Sequence, residues 1–336
     1  MAEDYTIGIG TVGSGLHVSA DGGGRWRHIG KYINPEGNVR AVAVFPDEPQ
    51  HILAASDRAG LFESRDNGYR WEPVSPAATS APLTDAEIWS VAVDPSDPRT
   101  IYVGARPAGF RSTDGGDTWE RMATGIAEDC PIGTPRITSL VVDPDQCKTV
   151  WAGVEVDGLH RSDDGGESWR ALDPIGPTTF HGDIHGLAVR NGDRPSVVAT
   201  TPFGMATSTD DGDTWEWREL AGFGDIGSRN EFAYCRGVFV KPGDADTMHV
   251  GCGDYIPGQI GGIETSHDGG ATWARATTDA VPNSTVYSMA MHPAIDDLVV
   301  AVTVFGQVFV SHDSGDSFTK LDREFGEIRA VWLSPN

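Results

Sequence analysis

Ser112-Thr113-Asp114-Gly115-Gly116-Asp117-Thr118-Trp119 is one of seven copies of a single phrase, Ser-x-Asp-x-Gly-x-(Thr/Ser/Arg)-(Trp/Phe), in this chain of 336 residues. The copies open at Ser19, Ser64, Ser112, Ser162, Ser208, Ser266 and Ser311, and their acids are Asp21, Asp66, Asp114, Asp164, Asp210, Asp268 and Asp313. They close on Trp26, Trp71, Trp119, Trp169, Trp215, Trp273 and Phe318. A period of roughly fifty residues is the spacing of propellers, solenoids and arrays. Within each copy the carboxylate can accept the turn's own amides and the glycines accept positive φ. The aromatic ring is expected to bury between repeats.

Ahead of each phrase stand short apolar runs, as in Ile88–Val93, Thr100–Gly104 and Gly109–Ser112. Runs of four to six β-branched and aromatic residues, bounded by Pro, Gly and Asp, are strands joined by hairpins. Three such runs, plus the one opened by the repeat's aromatic, make a four-stranded blade of a β-propeller, with the phrase in the turn between its third and fourth strands. At the C-terminus Ile328–Leu333 reads as a first strand with nothing after it. At the N-terminus Thr6–Gly10 and Leu16–Ser19 read as a second and third strand with nothing before them. One blade is therefore expected to be shared between the termini, which leaves no open sheet edge. The expected fold is all-β: one domain over residues 1–336, seven blades of four antiparallel strands.

With seven phrases in phase, the chain resembles the Asp-box, or BNR-repeat, propellers, a group that includes sialidases, tandem-propeller xyloglucanases, sortilin-type receptors and the photosystem II assembly factor. The resemblance covers nearly the whole chain and implies the architecture. It does not imply one activity, because this fold carries many unrelated functions.

The formal charge is −24, from 49 acids against 25 Lys and Arg, and the lysines are Lys31, Lys148, Lys241 and Lys320 alone. Such a surface repels nucleic acid and anionic lipid. Its acid-rich, lysine-poor composition resembles that of salt-adapted, haloarchaeal-like proteins. Met1-Ala-Glu-Asp-Tyr5 carries no basic-then-apolar leader and no run reaches membrane-spanning length, so a cytoplasmic monomer without membrane insertion is expected. Of the four cysteines, Cys130 and Cys147 stand at opposite ends of one strand. Cys235 and Cys252 fall almost opposite each other across a hairpin. Strained cross-strand geometry and a reducing compartment point to two free, half-buried thiols.

In a propeller the loops entering the first strand and those joining strands two and three share one face, and the Asp-box turns lie on the other. The seven aspartates are thus structural, and a site is sought at the opposite mouth of the central channel. Aligning the first strands places Arg40, Trp89, Thr138, His185, Arg236, Tyr287 and Arg329 at that mouth, with Asn38, Glu87, Arg136, Asp183, Tyr234, Thr285 and Glu327 two residues earlier. Arg58 and Arg106 are added by neighbouring loops. The planar guanidiniums of Arg40, Arg136, Arg236 and Arg329 suit a carboxylate or phosphate. The competing reading is that Arg40 and Arg136 merely pair with Glu87, Glu327 and Asp183. The longest decorations, 221–234 and 253–262, carry Asp225, Arg229, Asn230, Glu231, Tyr234, Asp254, Tyr255 and Gln259 beside Arg236. No cofactor is expected. The one place suited to a metal is His181, Asp183 and His185, which an extended strand entry would point the same way.

Three functions compete. The first is a non-enzymatic binding or assembly platform for an anionic or carboxylate-bearing ligand or protein, with Arg40, Arg136, Arg236, Arg329, Trp89, His185, Tyr234 and Tyr287 as the binding set. The second is a glycoside hydrolase or lyase, which needs two carboxylates about 5 Å or more apart, drawn from Asp183, Glu231, Glu87 and Asp254. Against it, sialidase-type rings have six blades and an Arg-Ile-Pro opening, and xyloglucanases form a cleft between two propellers. The third is carbohydrate binding without cleavage, with Trp89, Tyr234, Tyr255 and Tyr287 as stacking surfaces.

Overall fold

The computed structural model describes residues 5–29, 33–45, 47–106, 108–131, 133–192, 195–224 and 231–336. Seven sheets form the ring. Blades are numbered here by their Asp-box, so that blade 1 carries Asp21 and blade 7 carries Asp313.

Blade 1 is the shared one. Tyr5–Thr11 pairs antiparallel with Ile328–Pro335 on one side and Leu16–Ser19 on the other, and Arg27–Ile29 completes the sheet. Gly8 lies opposite Trp332, whose ring occupies the space a β-carbon at Gly8 would take, 1.9 Å from its indole atoms. Trp332 in turn meets Trp71 of blade 2 edge-on at 5.9 Å. A glycine in the N-terminal strand thus lets the C-terminal strand plant a tryptophan between blades.

Seven apolar clusters fill the structure, each drawn from two neighbouring blades. Ile7, Ile9, Val300, Val302 and Ile328 join blades 7 and 1, and Leu53, Leu61, Ile88 and Val103 join blades 2 and 3. Inner strands are buried on both sides because a blade faces a neighbour on both sides, so second strands such as Ile52–Ser56 and Val150–Val154 are buried at every position, while outer fourth strands such as Glu120–Arg121 are exposed. That explains apolar runs without strict alternation.

Each Asp-box sits between third and fourth strands. In blade 3, Ser112 Oγ donates to Asp114 at 2.8 Å and accepts the Gly116 amide at 2.8 Å. The same aspartate oxygen accepts the Thr118 amide at 2.9 Å, and Trp119 Nε1 donates to Gly116 carbonyl at 3.0 Å. Hydrogen bonds from the Thr118 hydroxyl and amide hold the Asp114 carboxyl down at about 2. Asp21, Asp66, Asp164, Asp210, Asp268 and Asp313 each accept their own Ser hydroxyl in the same way. The repeated acids are turn locks. The rings depart from expectation: Trp71 and Phe318 are buried, whereas Trp26, Trp119, Trp169, Trp215 and Trp273 are half-buried, because those rings cap the edge of the interface.

Blade 7 also gains a fifth strand. Thr277–Thr278, leaving blade 6, pairs in parallel with Ser317–Lys320 at the outer edge of Val286–His292, Ile295–Thr303 and Val308–Ser311. Among the described residues regular helix is confined to three short 3-10 turns, and no helix is long and apolar enough to cross a membrane.

Candidate functional site

Each first strand carries an irregularity at the channel mouth. In blade 2, Val39 pairs with Ser56 and Ala41 with Ala55, so Arg40 is an extra residue with no partner. The same single-residue bulge falls on Trp89, Thr138, Arg236, Tyr287 and Arg329. In blade 5 the His185 amide donates at 2.8 Å to the carbonyl of Thr200, which also partners Gly186, so two residues again oppose one. A bulge re-aims a side chain and sharpens local twist. Seven bulges at one level turn seven side chains into the channel.

The cavity there is lined by Arg40, Trp89, Thr138, His185, Arg236, Tyr287 and Arg329, with mainly apolar residues below them and, among the described residues, no Asp or Glu. Arg136 stands one step outside. Its guanidinium lies 4.0 Å from the centre of the Trp89 ring, and that of Arg40 lies 4.5 Å from the same ring. The Trp89 Nε1 is a buried donor with no acceptor. Tyr234 is buried behind the wall, its hydroxyl 3.3 Å from His185 Nε2.

The arginines differ in their counter-charges. Arg40 pairs with Asp57 at 2.7 Å, Arg136 with the buried Glu155, and Arg329 with Glu327 at 2.5 Å. The competing reading, in which Arg40 and Arg136 pair with acids, therefore holds for these two arginines, but with Asp57 and Glu155 as partners in place of Glu87, Glu327 and Asp183. Glu87 faces Arg58 at 3.5 Å and Arg106 at 3.7 Å. Asp57 and Glu155 both follow directly on second strands, a position that an alignment of second-strand ends makes legible in the sequence.

Arg236 is the exception. It is 7 % exposed, and among the described residues no carboxylate pairs with it. Its Nη2 donates to the Tyr287 hydroxyl at 2.8 Å, and its guanidinium and that of Arg329 lie 4.6 and 4.4 Å from the Tyr287 ring centre. Burial pushes the Tyr287 phenol up, but the two guanidiniums outweigh it and bring the phenol down to about 8. The phenol is the direct hydrogen-bond partner of Arg236, while the carboxylates of Glu155 and Asp183 act on its charge without ion-pair contact.

His185 Nδ1 donates to the Cys235 carbonyl at 3.0 Å, and Asp183 lies 3.4 Å from Nε2. Burial and Arg236 lower the His185 pKa against the pull of Asp183, so the ring is neutral near pH 7. Burial raises the Asp183 carboxyl, but the His185 contact and the charge of Arg236 outweigh it and leave it lowered.

The proposed metal set does not form. Residues 179–182 make a 3-10 turn rather than an extended entry, capped by Thr178, whose amide donates to His181 Nδ1 at 3.1 Å. That capping bond turns the His181 ring away, edge-on to Trp217 at 4.4 Å. Among the described residues no three His, Cys, Asp or Glu side chains are grouped to hold a metal ion. Asp254 accepts the amides of Gln259 and Ile260 at 2.9 and 3.2 Å and so closes its own loop, while Glu231 is exposed outside the cavity. Asp225, Arg229 and Asn230 lie outside the described residues. Cys235 pairs directly opposite Cys252; both thiols are free and fully buried rather than half-buried, with sulfurs 4.0 Å apart inside the cluster between blades 5 and 6.

The fold and the sevenfold turn lock define the class: a seven-bladed Asp-box β-propeller. Residues 110–121 match the BNR/Asp-box repeat family model. No curated protein matches the chain by sequence. Among solved structures it is similar to the GH74 xyloglucanase from Xanthomonas campestris (TM-score 0.65, 18 % identity, 94 % of this chain and 52 % of that one). It is also similar to YCF48 from Cyanidioschyzon merolae (0.60, 17 %, 90 % and 97 %) and to YCF48 bound to D1 peptide (0.53, 18 %, 84 % and 82 %). The chain spans about half the length of the xyloglucanase, and identities this low establish the shared fold alone.

Proposed function

We propose that the channel mouth binds an anionic, carboxylate-bearing group, and that the protein is a non-enzymatic platform for a ligand or partner protein that presents one. The observation that carries this reading is Arg236, a buried guanidinium with no carboxylate partner, opening on a cavity lined by no acid. A buried guanidinium with no carboxylate in ion-pair contact keeps its fork open, and a planar fork recognises a carboxylate in two parallel bonds. The Trp89 Nε1, a buried donor with no acceptor, supplies a further hydrogen-bond donor at the same level, where Arg329 stands paired with Glu327. Glycoside hydrolysis is disfavoured because it needs an acid pair facing the sugar, whereas Glu87 and Asp254 are engaged elsewhere. A neutral sugar would leave Arg236 without an ion-pair partner. YCF48 bound to D1 peptide is a precedent for a polypeptide partner on this fold.

Calorimetric titration with N-acetylglutamate and N-acetylglutamine tests the reading. The acid is expected to bind saturably, the amide not. A charge-assisted hydrogen bond contributes about 1.5–3 kcal/mol, so Arg236→Gln should weaken the acid by roughly 10- to 100-fold. Arg236→Lys, which keeps the charge but not the fork, should fall between. Equal binding of acid and amide, or an Arg236→Gln protein of unchanged affinity and melting behaviour, overturns the reading.

A further inference from the structure

Four large apolar side chains are exposed among the described residues: Phe180 at 74 %, Tyr255 at 65 %, Val281 at 58 % and Phe305 at 48 %. All four lie in loops of the channel-mouth face. Phe180 precedes the first strand of blade 5, Tyr255 joins strands two and three of blade 6, Val281 precedes the first strand of blade 7, and Phe305 joins strands two and three of that blade. They occupy three consecutive blades, the arc that contributes His185, Arg236 and Tyr287 to the cavity.

The loops are laced together. The Thr285 amide donates to the Pro257 carbonyl at 2.9 Å and the Gly261 amide to the Pro282 carbonyl at 3.0 Å, tying the Tyr255 loop to the Val281 loop. The Phe305 amide donates to Ser284 Oγ at 2.9 Å, and Asn283 Nδ2 to the Phe305 carbonyl at 3.1 Å, tying the Val281 loop to the Phe305 loop. Two ring contacts connect the arc to the cavity: Tyr255 to Tyr234 at 6.2 Å, and Tyr234 to His185 at 5.0 Å. Tyr255, Val281 and Phe305 are therefore presented on a braced platform in the blades that contribute Arg236 and Tyr287 to the cavity.

We infer that this arc is a docking surface for a polypeptide segment of another protein, which places a carboxylate at Arg236 and lays apolar side chains over Tyr255, Val281 and Phe305. The inference rests on the anion-binding reading above and adds the kind of partner. Val281 and Phe305 offer plain apolar contact without a polar handle, which suits aliphatic and aromatic side chains better than sugar rings. Four side chains expose on the order of a few hundred Å², below the roughly 800 Å² per partner of a standard protein interface, which fits a short segment better than a globular face. A second copy of this chain, also at −24, is repelled by its charge.

The test is selection from a display library of random eight-residue segments against the wild-type protein, followed by fluorescence anisotropy on the enriched peptides and titration of N-acetylglutamate. Enriched peptides should combine Asp or Glu with aliphatic or aromatic residues. They should lose at least tenfold affinity for Val281→Ser/Phe305→Ser, a surface variant that keeps wild-type melting, and at least tenfold for Arg236→Gln. N-acetylglutamate should be unaffected by the surface variant. Peptides that bind the surface variant undiminished, or no enrichment while N-acetylglutamate still binds through Arg236, overturn the docking surface and leave the anion site standing. Loss of N-acetylglutamate binding itself strikes the underlying reading. Tighter capture of an oligouronate than of any peptide, dependent on Phe305, overturns the polypeptide assignment.

Discussion

Removing Tyr287 from between its two guanidiniums should change how the channel mouth titrates. The phenol lies at about 8 instead of its ordinary value near 10, because Arg236 and Arg329 outweigh the effect of burial. Two pH units correspond to about 3 kcal/mol of preference for the phenolate. A group depressed in the folded state contributes stability that is complete above pH 10 and is lost as pH falls through 8. Absorbance at 295 nm, which reports tyrosinate, should show one of the seven tyrosines ionising near pH 8. Tyr69, Tyr102 and Tyr234, raised chiefly by burial, should not contribute to that step. Tyr287→Phe should abolish the step, and Arg236→Gln should move it above pH 9, since burial then meets only Arg329. A phenolate also neutralises Arg236, so carboxylate affinity should fall above pH 8, by up to about tenfold per unit, and stay flat in Tyr287→Phe. No ionisation below pH 9.5, or the same step in Tyr287→Phe, would refute the reasoning.

Three further outcomes follow from the fold. Asp114→Ala removes the acceptor for the Ser112 hydroxyl and the Thr118 amide and should cost about 1 kcal/mol by urea unfolding at pH 7. Because the carboxyl titrates at about 2, the difference from wild type should persist at pH 4 and disappear only as pH falls towards 2. Gly8→Ala sets a β-carbon against the Trp332 ring and should destabilise by about 1–3 kcal/mol or more, read as a lower urea midpoint with an unchanged slope. A thiol reagent at pH 8 should label Cys130 and Cys147, which are partly exposed, and spare Cys235 and Cys252, the latter held protonated by its hydrogen bond to Cys235 and by burial.

The repeat made the fold legible because each Asp-box sits at one fixed place in a blade; counting phrases counted blades, and the unpaired end strands announced the shared one. The same alignment found the ring of Arg40, Trp89, Thr138, His185, Arg236, Tyr287 and Arg329. What aims those side chains is a bulge, which depends on pairing with a second strand and leaves no mark in strand one. Which arginine is unpaired depended on Asp57 and Glu155, which follow the second strands of the same blades as Arg40 and Arg136 and meet them through the hairpin pairing of first and second strands. The misreading at His181 has a local cause: the Thr178 cap converts a stretch that reads as extended into a 3-10 turn. The exposed arc from Phe180 to Phe305 was hidden for a related reason, since single apolar residues in loops gain meaning only when blades 5, 6 and 7 bring them to one side.

The most direct test of the anion site is a crystal structure with 4-bromobenzoate, whose bromine can be located by anomalous scattering. The account predicts a bromine peak in the channel mouth with the carboxylate within hydrogen-bond distance of Arg236, absent in Arg236→Gln crystals. A bromine peak elsewhere on the propeller with none in the mouth, or one in the mouth unchanged by Arg236→Gln, would contradict it.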